Sequence, residues 1–162
     1  MDKHANIVVT VNGQTRQLRV PVRRNLVDML RHDLGLTGAH VGCEHGVCGA
    51  CNVRVDGVVL RGCLMLAVQA DGAAVDTIEG LTATGEIAAL QSAFVERNAL
   101  QCGYCTPGML MTGAELLLHE PCPSRAVIRD AISGNYCRCT GYQAIVDAIE
   151  IAALARHRET AS

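Results

Sequence analysis

Cysteines are the residues of this chain whose type and spacing point most directly to chemistry. Eight of the nine cysteines fall into two groups of four with different spacing. The first group, spaced C-x4-C-x2-C-x11-C, consists of Cys43, Cys48, Cys51 and Cys63. The second group, spaced C-x2-C-x31-C-x-C, consists of Cys102, Cys105, Cys137 and Cys139. Four converging thiolates bind a metal ion or an iron–sulfur cluster, so the sequence predicts two such sites, arranged as redox centres in series.

The first group has the spacing of a plant-type [2Fe–2S] site, in which three cysteines share a loop and the fourth is distant. Three glycines lie close to these cysteines in the sequence, namely Gly42, Gly46 and Gly49. Because glycine has no side chain, backbone N–H groups can approach the anionic sulfurs, and we predict that these glycines form a cofactor-binding nest. The alternative is a zinc site, although zinc sites usually contain two C-x2-C pairs and this group contains one.

The second group is predicted to lie at the N-termini of two helices. Cys102 and Cys105 directly precede Thr106, which can cap a helix, and Pro107, a favoured first helical residue. The other two cysteines precede a helical pattern that begins near Tyr142. The positive ends of two helix dipoles would stabilise an anionic cluster, and we expect the two helices to be related by a pseudo-two-fold axis. On ligand count alone, zinc remains open for this group.

Around the first group, the sequence predicts an α+β unit of about 80 residues. Residues 5–20 alternate around an Asn-Gly pair, which predicts a β-hairpin. Asn25 is a suitable N-cap for a short helix, and a glycine-rich loop at 42–51 carries three cysteines. A second hairpin is predicted over 53–60, and a last strand over 75–78.

The second half of the chain changes to helical periodicity. Helices are predicted around Ile87, from Pro107 to about His119, after Ser124, and from Tyr142 onward. Four helices with short links predict a small bundle. The boundary is predicted within residues 80–85. The predicted domains are residues 1–80 and residues 81–162.

The composition excludes several other classes of protein. The 162 residues are 49% hydrophobic and 2% aromatic, with a net charge of -2. Nucleic-acid binding usually requires a basic face and stacking aromatics, so no nucleic-acid partner is predicted. The sequence shows no signal peptide and no apolar run of about 20 residues, so we expect a cytoplasmic protein without a membrane partner. In that reducing compartment, dense cysteine favours metal ligation over disulfides.

Three stretches carry a more specific signal. They are GCEHGVCGAC at 42–51, QCGYCTPGM at 101–109 and GNYCRCTGY at 134–142. Together they resemble the iron–sulfur subunit or domain of the molybdenum hydroxylases, the family of xanthine dehydrogenase, aldehyde oxidase and carbon monoxide dehydrogenase. The resemblance covers nearly the whole chain and is strongest to the small subunit of three-subunit members. Asn52 and Tyr136 depart from that pattern, where threonine and an aliphatic residue are common.

The resemblance implies an α+β fold, with an N-terminal β-grasp domain like a plant-type ferredoxin followed by a C-terminal four-helix bundle. It implies two [2Fe–2S] clusters in this chain, molybdopterin with molybdenum in a large partner subunit, and FAD in a medium partner subunit. Electrons would pass from molybdenum to the bundle cluster, then to the ferredoxin-like cluster, then to FAD. Gln101 and Cys139 would face the pterin, and the complex would be a dimer of heterotrimers. The chain itself would contain no catalytic residue.

Two other functions remain open from the sequence: a free-standing two-cluster ferredoxin and a zinc-stapled interaction module. The substrate of a complex would be determined by the large subunit, and hydroxylation of an aromatic heterocycle or an aldehyde is favoured. Cys122 has no partner cysteine left and is expected to be a packing or surface thiol. His45 is expected to be an exposed loop side chain, since four cysteines already complete the first group.

Overall fold

Two strands joined by a tight turn form one edge of the sheet. The computed structural model describes residues 3–160. Strand β1 (His4–Val11) pairs with β2 (Gln14–Pro21) in antiparallel register. Asn12 and Gly13 between them both adopt positive φ, 49° and 76°, which is the backbone of a primed turn. The hairpin predicted over 5–20 is therefore confirmed.

The remaining strands complete a five-stranded sheet in the order β2-β1-β5-β3-β4. Strands β3 (Asn52–Val55) and β4 (Val58–Arg61) form the second predicted hairpin. Strand β5 (Ala74–Asp76) lies between the two hairpins, parallel to β1 and antiparallel to β3. The last strand therefore joins the hairpins into one sheet.

One short helix covers the buried face of the sheet. Helix α1 (Leu26–Asp28) continues as a π-helical turn over Met29–Asp33. The Asn25 side chain accepts a hydrogen bond from the backbone N–H of Asp28 at 2.8 Å, as the predicted N-cap requires. The apolar side chains of this segment are buried with the valines of β1, β3 and β5. Residues 34–51 then form the irregular loop that carries three cysteines.

A short helix occupies part of the segment in which the domain boundary is predicted. The strand predicted over 75–78 ends two residues early, and helix α2 (Ile78–Ala83) follows it. Ile78 and Leu81 are buried in the core of the second half. Burial of these two side chains on one face outweighs the poor helix propensity of Gly80.

The four predicted helices of the second half are present. They are α3 (Ala88–Glu96), α4 (Thr106–His119), α5 (Arg125–Ala131) and α6 (Gln143–Thr160). Their core is almost entirely aliphatic, with Phe94 as its one phenylalanine. Within residues 3–160, no helix is both long enough and apolar enough to cross a membrane.

One predicted cap is wrong. Helix α4 begins at Thr106, and Cys105 occupies the N-cap position. The Thr106 hydroxyl is buried and has no hydrogen-bond partner among the described residues. The Ser124 cap of α5 is confirmed, since its hydroxyl accepts from the N–H of Val127 at 3.3 Å.

An ion pair joins the sheet to the helices. Arg54 of β3 donates to Asp76 at 3.0 Å and, through two further nitrogens, to Glu86 at 2.6 and 2.9 Å. Because Glu86 lies just before α3, this bidentate contact connects the two halves of the chain. The Arg54 guanidinium holds the pKa of Glu86 below its ordinary value of 4.5.

Glu86→Gln is expected to lower the free energy of unfolding by roughly 0.5–1 kcal/mol at neutral pH, since the pair is partly exposed and screened. The folded-state pKa of Glu86 is lowered, so its contribution is present above pH 4.5 and is lost as pH falls through the folded value. Urea unfolding at several pH values measures this, and the difference from wild type should shrink in acid. Glu96→Gln, at an exposed position of α3, is the matched control. Equal losses for both variants would contradict the role of Glu86.

Candidate metal centres

The first four cysteines lie at one end of the sheet. Cys43 and Cys48 are half-buried in the irregular loop over 34–51. Cys51 is buried and directly precedes β3, and Cys63 lies two residues after β4. The β3–β4 hairpin thus returns the distant fourth cysteine to the loop. All four are free thiols.

The surroundings of Cys43 favour a thiolate. Burial alone would raise the pKa of Cys43, but hydrogen bonds from the backbone of His45, Cys48 and Val47 lower it to about 6. The N–H of Cys48 lies 3.4 Å from the Cys43 sulfur. Such converging donors stabilise negative charge on sulfur, as an iron or zinc site requires.

Cys63 has the opposite environment. Desolvation, together with the contact with the Cys51 sulfur, raises the pKa of Cys63 to about 11. The backbone N–H of Gly46 hydrogen-bonds to the same sulfur and opposes this rise. A bound metal ion would supply the positive charge that this thiol needs in order to ionise.

The glycines of this loop are packed closely against neighbouring groups. Gly46 has φ 85°, and a Cβ there would lie 2.4 Å from the Leu64 side chain. A Cβ on Gly49 would lie 2.7 Å from the Asn135 amide nitrogen. A Cβ on Gly42 would lie 3.1 Å from the Cys48 sulfur. The nest formed by all three glycines stays a prediction.

The second four cysteines lie in two loops that each precede a helix. Cys102 and Cys105 precede α4 directly, whereas Cys137 and Cys139 lie in the loop that ends at α6. The sulfurs of Cys102 and Cys139 are 3.6 Å apart and both residues are exposed. Cys105 and Cys137 are half-buried and in contact. The pseudo-two-fold relation of the helices stays a prediction.

Cys105 and Cys137, the half-buried cysteines of the second group, form its inner pair. Their thiols differ in how readily they ionise. Desolvation, with the contact to Cys137, raises the pKa of Cys105 to about 12. Burial would likewise raise the pKa of Cys137, but hydrogen bonds from the hydroxyl and the N–H of Thr140 lower it. Within the inner pair, the Cys105 thiol therefore ionises less readily than an ordinary cysteine, and the Cys137 thiol ionises more readily.

The eight cysteines approach one another in pairs. The pairs are Cys43 with Cys48, Cys51 with Cys63, Cys102 with Cys139, and Cys105 with Cys137. In the part of the chain that the structure describes, no three Cys, His, Asp or Glu side chains converge as a site for one metal ion. A [2Fe–2S] cluster has two irons with two protein ligands each, whereas one zinc ion binds all four thiolates. The paired arrangement fits a [2Fe–2S] cluster, in which each iron would bind one pair of cysteines. Thr106, which follows Cys105, has a buried hydroxyl without a hydrogen-bond partner among the described residues.

The two cysteine loops are in direct contact. The backbone N–H of Tyr136 donates to the carbonyl of Cys48 at 2.8 Å. The Tyr104 hydroxyl donates to the carbonyl of Val41 at 2.7 Å, and so ties the Cys102 loop to the first domain. A cavity of about 170 Å³ lies between the loops, lined by cysteines of both groups. The two sites are therefore neighbours with a fixed relation.

Arg61 at the end of β4 connects the same two loops. Its guanidinium donates to the carbonyl of Gly134 at 2.6 Å and to the carbonyl of Gly46 at 3.3 Å, and it also contacts the Asn52 side chain. Gly46 lies within the first cysteine group, and Gly134 directly precedes the segment that carries Cys137. One side chain thus braces both sites.

A buried polar chain continues from this arginine. Asn52 donates to the Thr112 hydroxyl at 2.9 Å, and that hydroxyl donates to Asn135 at 3.1 Å. The Asn135 amide donates to the carbonyl of Gly49 at 3.4 Å. Asn52 and Asn135 are each only 2% exposed. The sequence held no local signal for this network, because its partners are distant along the chain.

Two domain families account for most of the chain. Residues 9–77 match the 2Fe-2S iron-sulfur cluster binding domain, and residues 77–150 match the [2Fe-2S] binding domain. The caffeine dehydrogenase subunit gamma of Pseudomonas sp. (strain CBB1) is 54% identical over 153 residues, 93% of this chain and 91% of the relative. This chain belongs to the small iron–sulfur subunits of the molybdenum hydroxylases.

Other relatives extend the same likeness to the whole fold. The nicotine 6-hydroxylase small subunit of Paenarthrobacter nicotinovorans is 51% identical over 143 residues, 88% of this chain and 86% of the relative. A chain of quinoline 2-oxidoreductase from Pseudomonas putida 86 superposes with a TM-score of 0.91 at 47% identity, covering 97% of this chain and 98% of that one. The predicted α+β fold, with a β-grasp domain and a helical bundle, is thereby confirmed.

The other residues singled out in the sequence lie around these centres. Gln101 and Cys139 are both exposed, and their contact with a pterin stays a prediction. His45 is exposed, and its Nδ1 atom lies within hydrogen-bond distance of the Cys43 carbonyl oxygen. Cys122 is exposed and outside both groups, as expected. Asn52 is buried between the domains, so its departure from the family pattern concerns internal packing.

Proposed function

We propose that this iron–sulfur subunit relays electrons from a molybdopterin site in a large subunit to FAD in a medium subunit. In this proposal Cys43, Cys48, Cys51 and Cys63 hold one [2Fe–2S] cluster, and Cys102, Cys105, Cys137 and Cys139 hold the other. Each cluster supplies a site for one electron. The chain performs no bond chemistry of its own.

The contact between Tyr136 and Cys48 carries this proposal. The peptide N–H of Tyr136 immediately precedes Cys137, and the carbonyl that it reaches at 2.8 Å belongs to Cys48. The path from Cys48 to Cys137 therefore consists of covalent bonds and one backbone hydrogen bond. These two cysteines are predicted ligands of different sites. A chain that merely stapled two independent metal sites would not need this direct connection.

Each site also has an accessible side on which a partner could dock. At the second site, Cys102 and Cys139 are exposed, and Tyr136 beside them is 59% exposed. At the first site, the exposed apolar side chains are Val47 and Leu64. In the proposed assembly the large subunit covers the second site and the medium subunit covers the first, because electrons must enter and leave on different sides.

The substrate proposed for the complex is a nitrogen-containing heteroaromatic compound. The names of three similar proteins refer to caffeine, nicotine and quinoline. The pocket for such a compound would lie in the large subunit. In this iron–sulfur subunit, the part of the relay nearest that pocket is the exposed pair Cys102 and Cys139.

Isolation of the tagged chain from cells that also express its neighbouring genes tests the proposal. Two larger chains are expected to co-purify in a constant ratio, and the preparation should be red-brown, with iron and sulfide rather than zinc. Elution of a red-brown chain alone under gentle conditions would instead favour a free ferredoxin. A colourless preparation that contains zinc would favour the interaction module.

Four further parts of the proposal go beyond the similarity to known proteins and stay predictions. These are the order of electron transfer, the dimer of heterotrimers, the cytoplasmic location and the domain division at residues 80 and 81. Analytical ultracentrifugation of the co-purified complex measures its mass and so tests the dimer of heterotrimers.

A further inference from the structure

Thr140 lies three residues after Cys137, in the loop that precedes α6. Its hydroxyl oxygen lies 3.1 Å from the Cys137 sulfur, and its backbone nitrogen lies 3.5 Å from the same atom. Both groups are donors, so one residue directs two hydrogen bonds at one predicted ligand. Cys137 and Thr140 are both half-buried, which limits competition from water.

The rest of the loop orients the Thr140 hydroxyl. The backbone N–H of Tyr142 donates to the Thr140 oxygen at 3.2 Å. A hydroxyl carries one hydrogen, and with a donor already at its oxygen that hydrogen is directed at the Cys137 sulfur. Tyr142 is itself held in place, because its phenol oxygen accepts from the N–H of Cys137 at 2.9 Å and donates to the carbonyl of Asn135 at 3.1 Å.

The position of Cys137 makes this contact asymmetric within the second site. Cys105 and Cys137 form the half-buried inner pair, whereas Cys102 and Cys139 are exposed. The inner pair lies on the side that contacts the first cysteine loop through the N–H of Tyr136. An added electron increases negative charge on the ligand sulfurs, and hydrogen bonds to sulfur stabilise that charge. Thr140 would therefore stabilise the reduced form of a cluster that Cys137 ligates.

We propose that Thr140 is a positioning residue that acts through Cys137 to raise the reduction potential of the second cluster. The proposal rests on the second [2Fe–2S] site of the proposed function. The step concerned is a one-electron reduction of the cluster. Thr140 keeps its proton, and no bond at Cys137 breaks or forms.

Reductive titration of the purified complex with dithionite, followed by EPR, tests this inference. Dithionite supplies the electron, and the signal of the second cluster is the one lost in a Cys102→Ser complex. In Thr140→Val, which removes the hydroxyl but keeps the shape, we expect the ratio of reduced to oxidised second cluster at a fixed potential to fall roughly tenfold. That ratio corresponds to about 59 mV for one electron. Thr140→Ser, which keeps the hydroxyl, should stay within about twofold of wild type.

The midpoint of the first cluster is the internal control and should not move in either variant. An unchanged second midpoint in Thr140→Val, or equal shifts of both clusters, would overturn the proposal. If Thr140→Val does not hold the second cluster, the smaller Thr140→Ala variant is titrated in the same way, and a wild-type midpoint there would overturn the proposal too. A wild-type complex with fewer than two [2Fe–2S] signals would instead overturn the proposed function.

Discussion

Cys102→Ser is expected to abolish one of two [2Fe–2S] EPR signals and to lower the iron content of the subunit by about half. Cys102 pairs with Cys139 at a sulfur separation of 3.6 Å, on the exposed side of the second site. A serine hydroxyl stays protonated at neutral pH and is a poor ligand for iron that prefers thiolate. The loss should be confined to the second site, because the four cysteines of the first site lie in another domain.

Iron analysis and low-temperature EPR of the reduced complex measure this result. Cys51→Ser is the reciprocal variant and should remove the other signal. Cys122→Ser is the matched control, since Cys122 is exposed and lies outside both groups, and it should keep both signals. Retention of both signals in Cys102→Ser, or loss of one in Cys122→Ser, would contradict the ligand assignment.

Arg61→Met is expected to lower the free energy of unfolding by roughly 2–4 kcal/mol, which corresponds to a melting temperature lower by roughly 5–10 °C. Methionine fills the space of the arginine stem but donates no hydrogen bond. The carbonyls of Gly46 and Gly134 and the Asn52 side chain would each lose a donor in a partly buried place. Polar groups left without a hydrogen-bond partner in a partly buried place account for the expected loss of stability.

Two measurements separate this role from general surface effects. Thermal unfolding followed by circular dichroism gives the stability, and the magnetic interaction between the two reduced clusters reports whether their separation has changed. Arg16→Met, at an exposed arginine of β2 that contacts Gln14, is the matched control and should stay near wild type. Equal melting temperatures for Arg61→Met and wild type would contradict the bracing role of Arg61.

The bracing network explains how two small domains can hold two redox sites in a constant relation. Asn52 and Asn135 are buried, and through Thr112 they connect β3 to the loop before Cys137. A buried polar chain in which every member is paired specifies one arrangement of the domains. Electron transfer over a fixed gap benefits from that rigidity, because no docking step between the domains is needed.

Local patterns were sufficient for most of the secondary structure. The Asn12-Gly13 turn, the Asn25 cap and the Ser124 cap act within three or four residues of the chain, so their sequences predicted them correctly. The segment after β5 was different, because the sequence predicted that the strand would continue to residue 78 and did not predict helix α2. Contact of Ile78 and Leu81 with the second core made part of it helical instead.

The sequence by itself predicted the membership of both cysteine groups, since ligand spacing is a property of the chain. Only the tertiary structure decided how the eight cysteines pair, which pair is exposed, and that the Thr140 hydroxyl contacts Cys137. It alone also brought Arg61 to Gly134, a contact between residues 73 positions apart. The physical reason is that burial and hydrogen bonding between distant segments depend on the packing of two domains, and no local pattern encodes that packing.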